Sequence, residues 1–195
     1  MKQEKLYPFS RLINDLKADL LSYVKKLYNL ERVSFWSGLK IIIRFPIFWL
    51  IAIYRYNHWI DVQYRNNIIK FFLKSLSFVG RHTFAIITKS FILQNADIGP
   101  GLCIAPKGGV TIGPQKMGRG CFVGENVTIG RDRFRRIPEF GDFVKIGSNS
   151  IIYGGVKIGN GVIIKESTVL TKSVPDYCIV QGNPGKIVKK IAENK

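Results

Sequence analysis

Residues 140–175 read Phe140-Gly-Asp-Phe-Val-Lys, Ile146-Gly-Ser-Asn-Ser-Ile, Ile152-Tyr-Gly-Gly-Val-Lys, Ile158-Gly-Asn-Gly-Val-Ile, Ile164-Lys-Glu-Ser-Thr-Val, Leu170-Thr-Lys-Ser-Val-Pro. Every sixth residue is aliphatic or aromatic, the next is Gly in three of the six hexads, and the fifth place is usually Val or another small residue. A period of six with one anchor fits neither an amphipathic helix nor an alternating strand. It fits a solenoid of short strands and tight turns. The anchor and the small fifth residue point inward, and Gly, Asn and Asp take turn positions that need positive φ. One such hexad arises by chance; six in succession do not.

Working outward, the period continues N-terminally to about Phe91, with interruptions. Ile92-Leu-Gln-Asn-Ala-Asp and Ile98-Gly-Pro-Gly-Leu-Cys are regular. Ile104-Ala-Pro-Lys-Gly-Gly-Val-Thr has eight residues, a bulge, and the unit from Ile112 to Lys116 has five, a tightened turn. After Ile129-Gly130 comes an insertion, Arg131-Asp-Arg-Phe-Arg-Arg-Ile-Pro-Glu139. Interruptions are where a repeat can carry function, because repeat positions are committed to packing.

Ahead of the repeats the composition changes. Residues 8–30 place Phe9, Leu12, Ile13, Leu16, Leu20, Tyr23 and Leu27 near helical spacing, which predicts an amphipathic helix. Residues 34–60 are aromatic and basic, and their longest uncharged run, Phe45 to Tyr54, is half the length of a membrane span. Pro46 restricts a helix or starts a new one. The segment predicts a bent helix pair in a membrane interface, with Trp36, Trp49 and Trp59 at headgroup depth and Lys40, Arg44 and Arg55 meeting anionic lipid. Residues 67–79 share that character. The competing expectation is that these helices pack on one another and on the coil. The chain thus divides into a basic helical region (1–90), a coil (91–186) and a tail (187–195) expected to fold back as a helix or strap.

The formal net charge of +17 points to an acidic partner. Residues 1–90 carry 15 Lys/Arg against 5 Asp/Glu, and residues 91–195 carry 15 against 8. Neither part has a nucleic-acid motif, so nucleic acid is not the expected partner. Cys103, Cys121 and Cys178 form no CxxC pair and read as reduced, buried apolar residues. No His/Cys cluster has metal-ligand spacing, so no metal is expected. With no signal peptide visible, the expected location is cytoplasmic, peripheral on the inner face of the membrane.

The stretch from Ile98-Gly-Pro-Gly-Leu through Ile129-Gly, then a loop and regular hexads, resembles the hexapeptide-repeat acyltransferases. Within them it is similar to the serine acetyltransferases and the polysaccharide O-acetyltransferases. The segment Val174-Pro-Asp-Tyr-Cys-Ile-Val-Gln-Gly-Asn-Pro-Gly-Lys-Ile-Val resembles that group's ending, and Tyr54-Arg-Tyr-Asn-His58-Trp resembles an Arg-x-x-His segment of the polysaccharide-modifying members. The resemblance implies a left-handed parallel β-helix, a homotrimer, and acetyl-CoA in a groove between coils. The implied function is O-acetylation of a sugar in a surface polysaccharide or its lipid-linked precursor. Serine acetylation, and a non-catalytic scaffold at the membrane, are the alternatives.

Acetyl transfer to a hydroxyl needs a base and donors for the developing oxyanion. By the resemblance a His would stand in the wide coil, where this chain has Pro106, and a second would stand where it has Glu125. Glu125 is therefore the first candidate base, followed by Glu139 and His82; Glu125 reads equally as a solvated turn carboxylate, while Glu139 reads more readily as an ordinary loop charge and His82 as a capping or packing residue. Lys107 is a candidate for the oxyanion or a substrate carboxylate. The resemblance sets Gly147, Ser148 and Lys165 along the pantetheine arm, and assigns Lys172, Gly182 and Lys186, with Lys189, to the nucleotide end. Arg131, Arg133, Arg135 and Arg136 form either a binding loop for an anionic acceptor or a self-repelling mobile loop.

Overall fold

The computed structural model describes residues 8–28, 35–64, 67–113 and 116–191. Four helices come first: α1 (Phe9–Tyr28), α2 (Phe35–Arg44), α3 (Pro46–Gln63) and α4 (Asn67–Thr88). Pro46 occupies the first turn of α3, where its missing N–H costs nothing. The expected bent pair is thus two helices, α2 and α3, joined at Phe45.

The rest is a parallel β-helix of very short strands, laid down in rotation on three sheets. The first face stacks β1 (Phe91–Ile92), β4 (Thr111–Ile112), β7 (Thr128–Gly130), β10 (Ile151–Tyr153) and β13 (Val169–Leu170). The second stacks β2 (Asp97–Ile98), β5 (Lys116–Met117), β8 (Glu139–Phe140) and β11 (Lys157–Ile158). The third stacks β3 (Cys103–Ile104), β6 (Phe122–Val123), β9 (Lys145–Ile146), β12 (Ile163–Ile164) and β14 (Cys178–Gln181). Register is one hexad anchor over another, as in Ile112↔Ile129, Ile152↔Leu170 and Val123↔Ile146.

The anchors from Ile92 to Val180 are all buried, and so are the fifth-place residues Leu102, Cys121, Val127, Val144, Val162 and Cys178. Each fully buried aliphatic contributes about 1.5–3 kcal/mol. The three cysteines lie in this core, and burial pushes the Cys103 thiol up to about 12 and that of Cys121 up to about 11, so neither is a nucleophile. Corners use a left-handed residue at one fixed place: Gly101, Gly120, Asn126, Phe143, Asn149, Gly161, Ser167 and Tyr177 all have positive φ. Two of these are aromatic, which the turn-residue rule does not anticipate. Each aromatic lies across a glycine of the preceding rung, Phe143 over Gly120 and Tyr177 over Gly161; a Cβ on either glycine would meet the ring at 2.5 and 2.7 Å.

The helices are fastened to the first rungs by buried polar groups. On α1, Asp19, Ser22, Tyr23 and Lys26 share one face. Asp19 Oδ1 accepts from the amides of Gly101 and Leu102, both at 2.8 Å, and Ser22 donates to the Gly101 carbonyl. The Tyr23 hydroxyl accepts from Ile104 N, and Lys26 donates to the carbonyls of Gly120 and Cys121. From α3, Arg55 donates to both oxygens of Asp19 at 3.0 and 3.1 Å and to the carbonyls of Ile98 and Gly99. Tyr54 donates to Ala96 O.

These contacts correct part of the membrane expectation. Arg55 is 2% exposed and committed to Asp19, so it meets no lipid. Trp59 packs against Phe9, Tyr56 and Tyr64 rather than facing outward. Trp36 and Trp49 are exposed, as expected, and the side chain of Lys40 lies outside the described residues. Among the described residues no helix is long and apolar enough to cross a membrane.

The described part of the tail folds back as a strand, not as a helix. Residues Lys186–Lys190 form a fifteenth strand, β15, antiparallel to β14 on the third face. The eight-residue unit after Ile104 also has a packing reason. α4 ends at this bulge: Gly109 N donates to Thr88 O at 2.9 Å, and a Cβ on Gly108 would stand 2.4 Å from that same oxygen. Gly108 and Gly109 both have positive φ, which lets the widened corner receive the helix end.

Candidate active site

The corner between the third and first faces repeats once per rung. In register it carries Pro106-Lys107, Glu125-Asn126, Ser148-Asn149, Glu166-Ser167 and Gly182-Asn183, preceded on the same edge by Ala105, Gly124, Gly147, Lys165 and Gln181. Six of the residues singled out from the sequence, Lys107, Glu125, Gly147, Ser148, Lys165 and Gly182, therefore stack along one edge. Backbone bonds tie the rungs there: Asn126 N to Gly108 O at 3.0 Å, Asn149 N to Glu125 O at 2.8 Å, and Ser167 N to Ser148 O at 2.9 Å. Ser148 Oγ accepts from Glu125 N at 3.0 Å, and Asn126 donates to Asn149 Oδ1.

The Glu125 carboxylate is half-buried and 3.9 Å from the exposed Lys107 ammonium. This is the acid–cation pair a hydroxyl acetylation would use: a carboxylate to take the proton and an ammonium beside it for developing negative charge. Gly147 has a plainer explanation than a cofactor contact. A Cβ there would lie 2.5 Å from Glu166 N, so close stacking of two rungs already requires glycine.

The other two candidate bases are not brought to this edge. Glu139 stands on the second face, directly between Lys116 and Lys157 in register, within a charged row that begins at Asp97. It is a partly exposed carboxylate in a row of alternating charge. His82 lies on the exposed side of α4, its ring against Phe78 at 4.2 Å and its Nδ1 2.9 Å from Phe78 O. It belongs to the helical region.

The arginine loop follows β7 at the next corner, between the first and second faces. Within the chain it is a turn closed on Asp132. Asp132 Oδ1 accepts from the amides of Phe134 and Arg136, its Oδ2 accepts from Arg136 Nε at 2.8 Å, and Asp132 N donates to Arg136 O. Slight desolvation would raise the Asp132 carboxyl, but these donors outweigh it and hold it below its ordinary value. Arg133 and Arg136 lie over the exposed Phe134 ring at 4.7 and 5.3 Å. Arg131, Arg133 and Arg135 point to solvent. Asp132 and Arg136 close a pocket of about 280 Å³ with Tyr153, Gly155, Thr171 and Ser173. Asp132 had no visible signal in the sequence as the organiser of this loop.

Lys172 and Lys186 sit together at the far end of the coil. They edge a pocket of about 330 Å³ whose apolar floor is Leu170, Val174, Val180 and Pro184. Among the described residues, no group of His, Cys, Asp and Glu could hold a metal ion.

Comparison with known proteins follows the same geometry. Residues 138–172 match the model of the bacterial transferase hexapeptide (six repeats). A serine acetyltransferase of Synechococcus elongatus is 29% identical over 156 residues, which cover 78% of this chain and 61% of that protein. One of Staphylococcus epidermidis is 39% identical over 108 residues, covering 51% of this chain and 48% of the relative. The chain thus spans about half to three-fifths of the length of such relatives. The crystal structure of Neisseria gonorrhoeae serine acetyltransferase superposes with a TM-score of 0.78 at 23% identity, covering 95% of this chain and 68% of that one. A serine acetyltransferase in complex with CoA gives 0.73 at 21% identity, covering 95% and 73%. The fold is therefore the left-handed parallel β-helix, and residues 138–172 match the bacterial transferase hexapeptide repeat.

Proposed function

We propose that this chain is an acetyl-CoA-dependent O-acetyltransferase acting as a homotrimer. The single observation that carries the reading is the corner stack in which Glu125 and Lys107 meet above Ser148 on a coil shared with serine acetyltransferases. In the transfer, the acceptor oxygen attacks the thioester carbonyl and the C–S bond breaks. The hydroxyl proton goes to Glu125, which then passes it to the departing CoA thiolate and is regenerated as a carboxylate. Acetyl-CoA supplies the activated acyl group; Lys107 stabilises the oxyanion, and Lys172 and Lys186 meet the nucleotide phosphates.

The character of the three faces supports a trimer. The second face is charged along its length, with Asp97, Lys116, Glu139 and Lys157. The third is covered by α1 at its first rungs. The first presents Phe91, Thr111, Thr128, Ile151 and Val169 outward, an uncharged row fit to pack on another copy. It lies between the Glu125 corner and the arginine loop, so such packing would set the corner of one protomer against the loop of its neighbour.

The named relatives favour serine as the acceptor. A sugar is the second reading, favoured by the exposed Phe134 ring between two guanidiniums, a stacking platform with anion donors at its rim. Free CoA release should be measured with acetyl-CoA plus L-serine, and plus neutral and acidic sugars. Release with serine alone assigns the first reading, and release with sugars alone assigns the second. Failure of the protein to bind CoA by calorimetry would sink both and leave a scaffold.

A further inference from the structure

We propose that the outward face of α4 is a docking surface for an anionic lipid bilayer, with the helix lying along the interface and its apolar stripe inserted. The inward face of α4 is fully used. Phe84 stacks on Trp49, Gly80 abuts Ile53, Ser77 donates to Asn57 Oδ1, and Lys70 and Lys74 reach Asp61 from one side. The opposite face is apolar and open to solvent: Phe71 is 70% exposed, Phe72 68%, Val79 70% and Ile86 76%. Phe72, Val79 and Ile86 recur at helical spacing along one line, with Ser75 and His82 the polar members of that line and Phe71 and Phe78 beside it. So many large apolar groups side by side on one helix are uncommon on a surface that only meets water.

Charge identifies the occupant. Residues 32–96 contain nine Lys/Arg and one Asp/Glu, namely Asp61. At one edge of the apolar stripe Lys70 and Lys74 both reach Asp61 and outnumber it, and Arg81 lies over the Phe78 ring, so the edge keeps a net positive charge whose long side chains can hold their heads in the headgroup layer while the helix sinks. Lys89 follows at the exposed C-terminal end. Phe71, Lys74, Ser75 and Phe78 enclose a groove of about 380 Å³, wide enough for part of an acyl chain with a cation at its rim. A second copy of the chain on this face would bring two cationic edges together, a repulsive arrangement. An anionic headgroup layer neutralises them, at about 1 kcal/mol per basic residue near the surface. This inference is independent of the acetyl-transfer reading.

The test uses the full chain and sedimenting vesicles of phosphatidylcholine, with and without phosphatidylglycerol. Binding is expected on the mixed vesicles, at least tenfold weaker on phosphatidylcholine alone, and weakened by salt. Phe72→Glu combined with Val79→Glu, both at exposed positions, should lower binding at least tenfold while leaving the circular dichroism spectrum unchanged. Should that variant misfold, Arg81→Gln with Lys89→Gln should reduce binding to the mixed vesicles severalfold. Three results would overturn the proposal: no vesicle binding, equal binding to both vesicle types, or equal binding of parent and variants. If vesicles are not bound and Phe72→Glu/Val79→Glu lowers the mass in analytical ultracentrifugation, the face is a contact between copies instead.

Discussion

At Gly147 a single methyl group would decide the spacing of two rungs. The nearest backbone atoms to an added Cβ are Glu166 N at 2.5 Å and Lys165 C at 2.7 Å, and neither can rotate away. Gly147→Ala should therefore destabilise by about 1–3 kcal/mol in urea unfolding, the usual range for overpacking. Gly130→Ala, with nothing within 4 Å of its Cβ, should fall within about 0.5 kcal/mol of the parent. Glu125 is tested by chemistry instead. Glu125→Gln keeps the backbone bond to Ser148 Oγ and removes the base, so CoA release should fall roughly 10²–10⁴-fold with CoA affinity unchanged. A third residue gives a pH signature. Burial holds the His58 imidazole below its ordinary value of 6.5, against the pull of Asp97. The unfolded chain then binds the proton first, so stability is level above about pH 6.5 and falls as pH drops below it. Urea midpoints from pH 7.5 down to 5.5 should show that decline in the parent and a shallower one in His58→Gln.

At the scale of elements, the sequence was most readable where each rung spends one residue on the core. The anchors from Phe140 to Leu170 could be counted because their partners lie one turn away in register. α1 could be read from its apolar spacing, and Pro46 marked the break between α2 and α3. What holds α1 to the coil could not be read, because Asp19 meets Gly101 and Leu102 across more than eighty residues and no local pattern announces it. Arg55 was misjudged for the same reason: on α3 alone it looks like a surface cation. Of the candidate site, the third-to-first corner was legible through the family resemblance, which singled out Glu125, Gly147, Ser148 and Lys165 on successive rungs. The face on which Glu139 stands was not legible, because the insertion hides where the chain resumes the repeat. Burial raises the Asp19 carboxyl while Arg55 and the two amides pull it back, and the guanidinium stays charged beside it. Asp19→Asn leaves Arg55 buried without its counter-charge, so it should cost about 3–5 kcal/mol by thermal or urea unfolding. A matching Arg55→Met in the same chain should recover a large part of that loss.

For the whole molecule, the first face decides assembly. Ile151 is exposed at its middle, paired with Thr128 and Val169. Ile151→Lys should convert a three-chain particle to single chains in sedimentation equilibrium and abolish CoA release with them, since the corner and the loop would no longer meet; a trimer that survives the change would place the contact elsewhere. The last strand carries a different consequence. A solenoid whose final rung stayed open would be a template for the first rung of another molecule, and growth could continue without limit. Here β15 runs against the direction of every rung, slips register beside Ile179 and Val180, and sets three lysines along the outer edge. An incoming chain finds neither the parallel order nor the neutral border that filament growth needs, so the same repeat that builds the coil is kept from propagating into fibres.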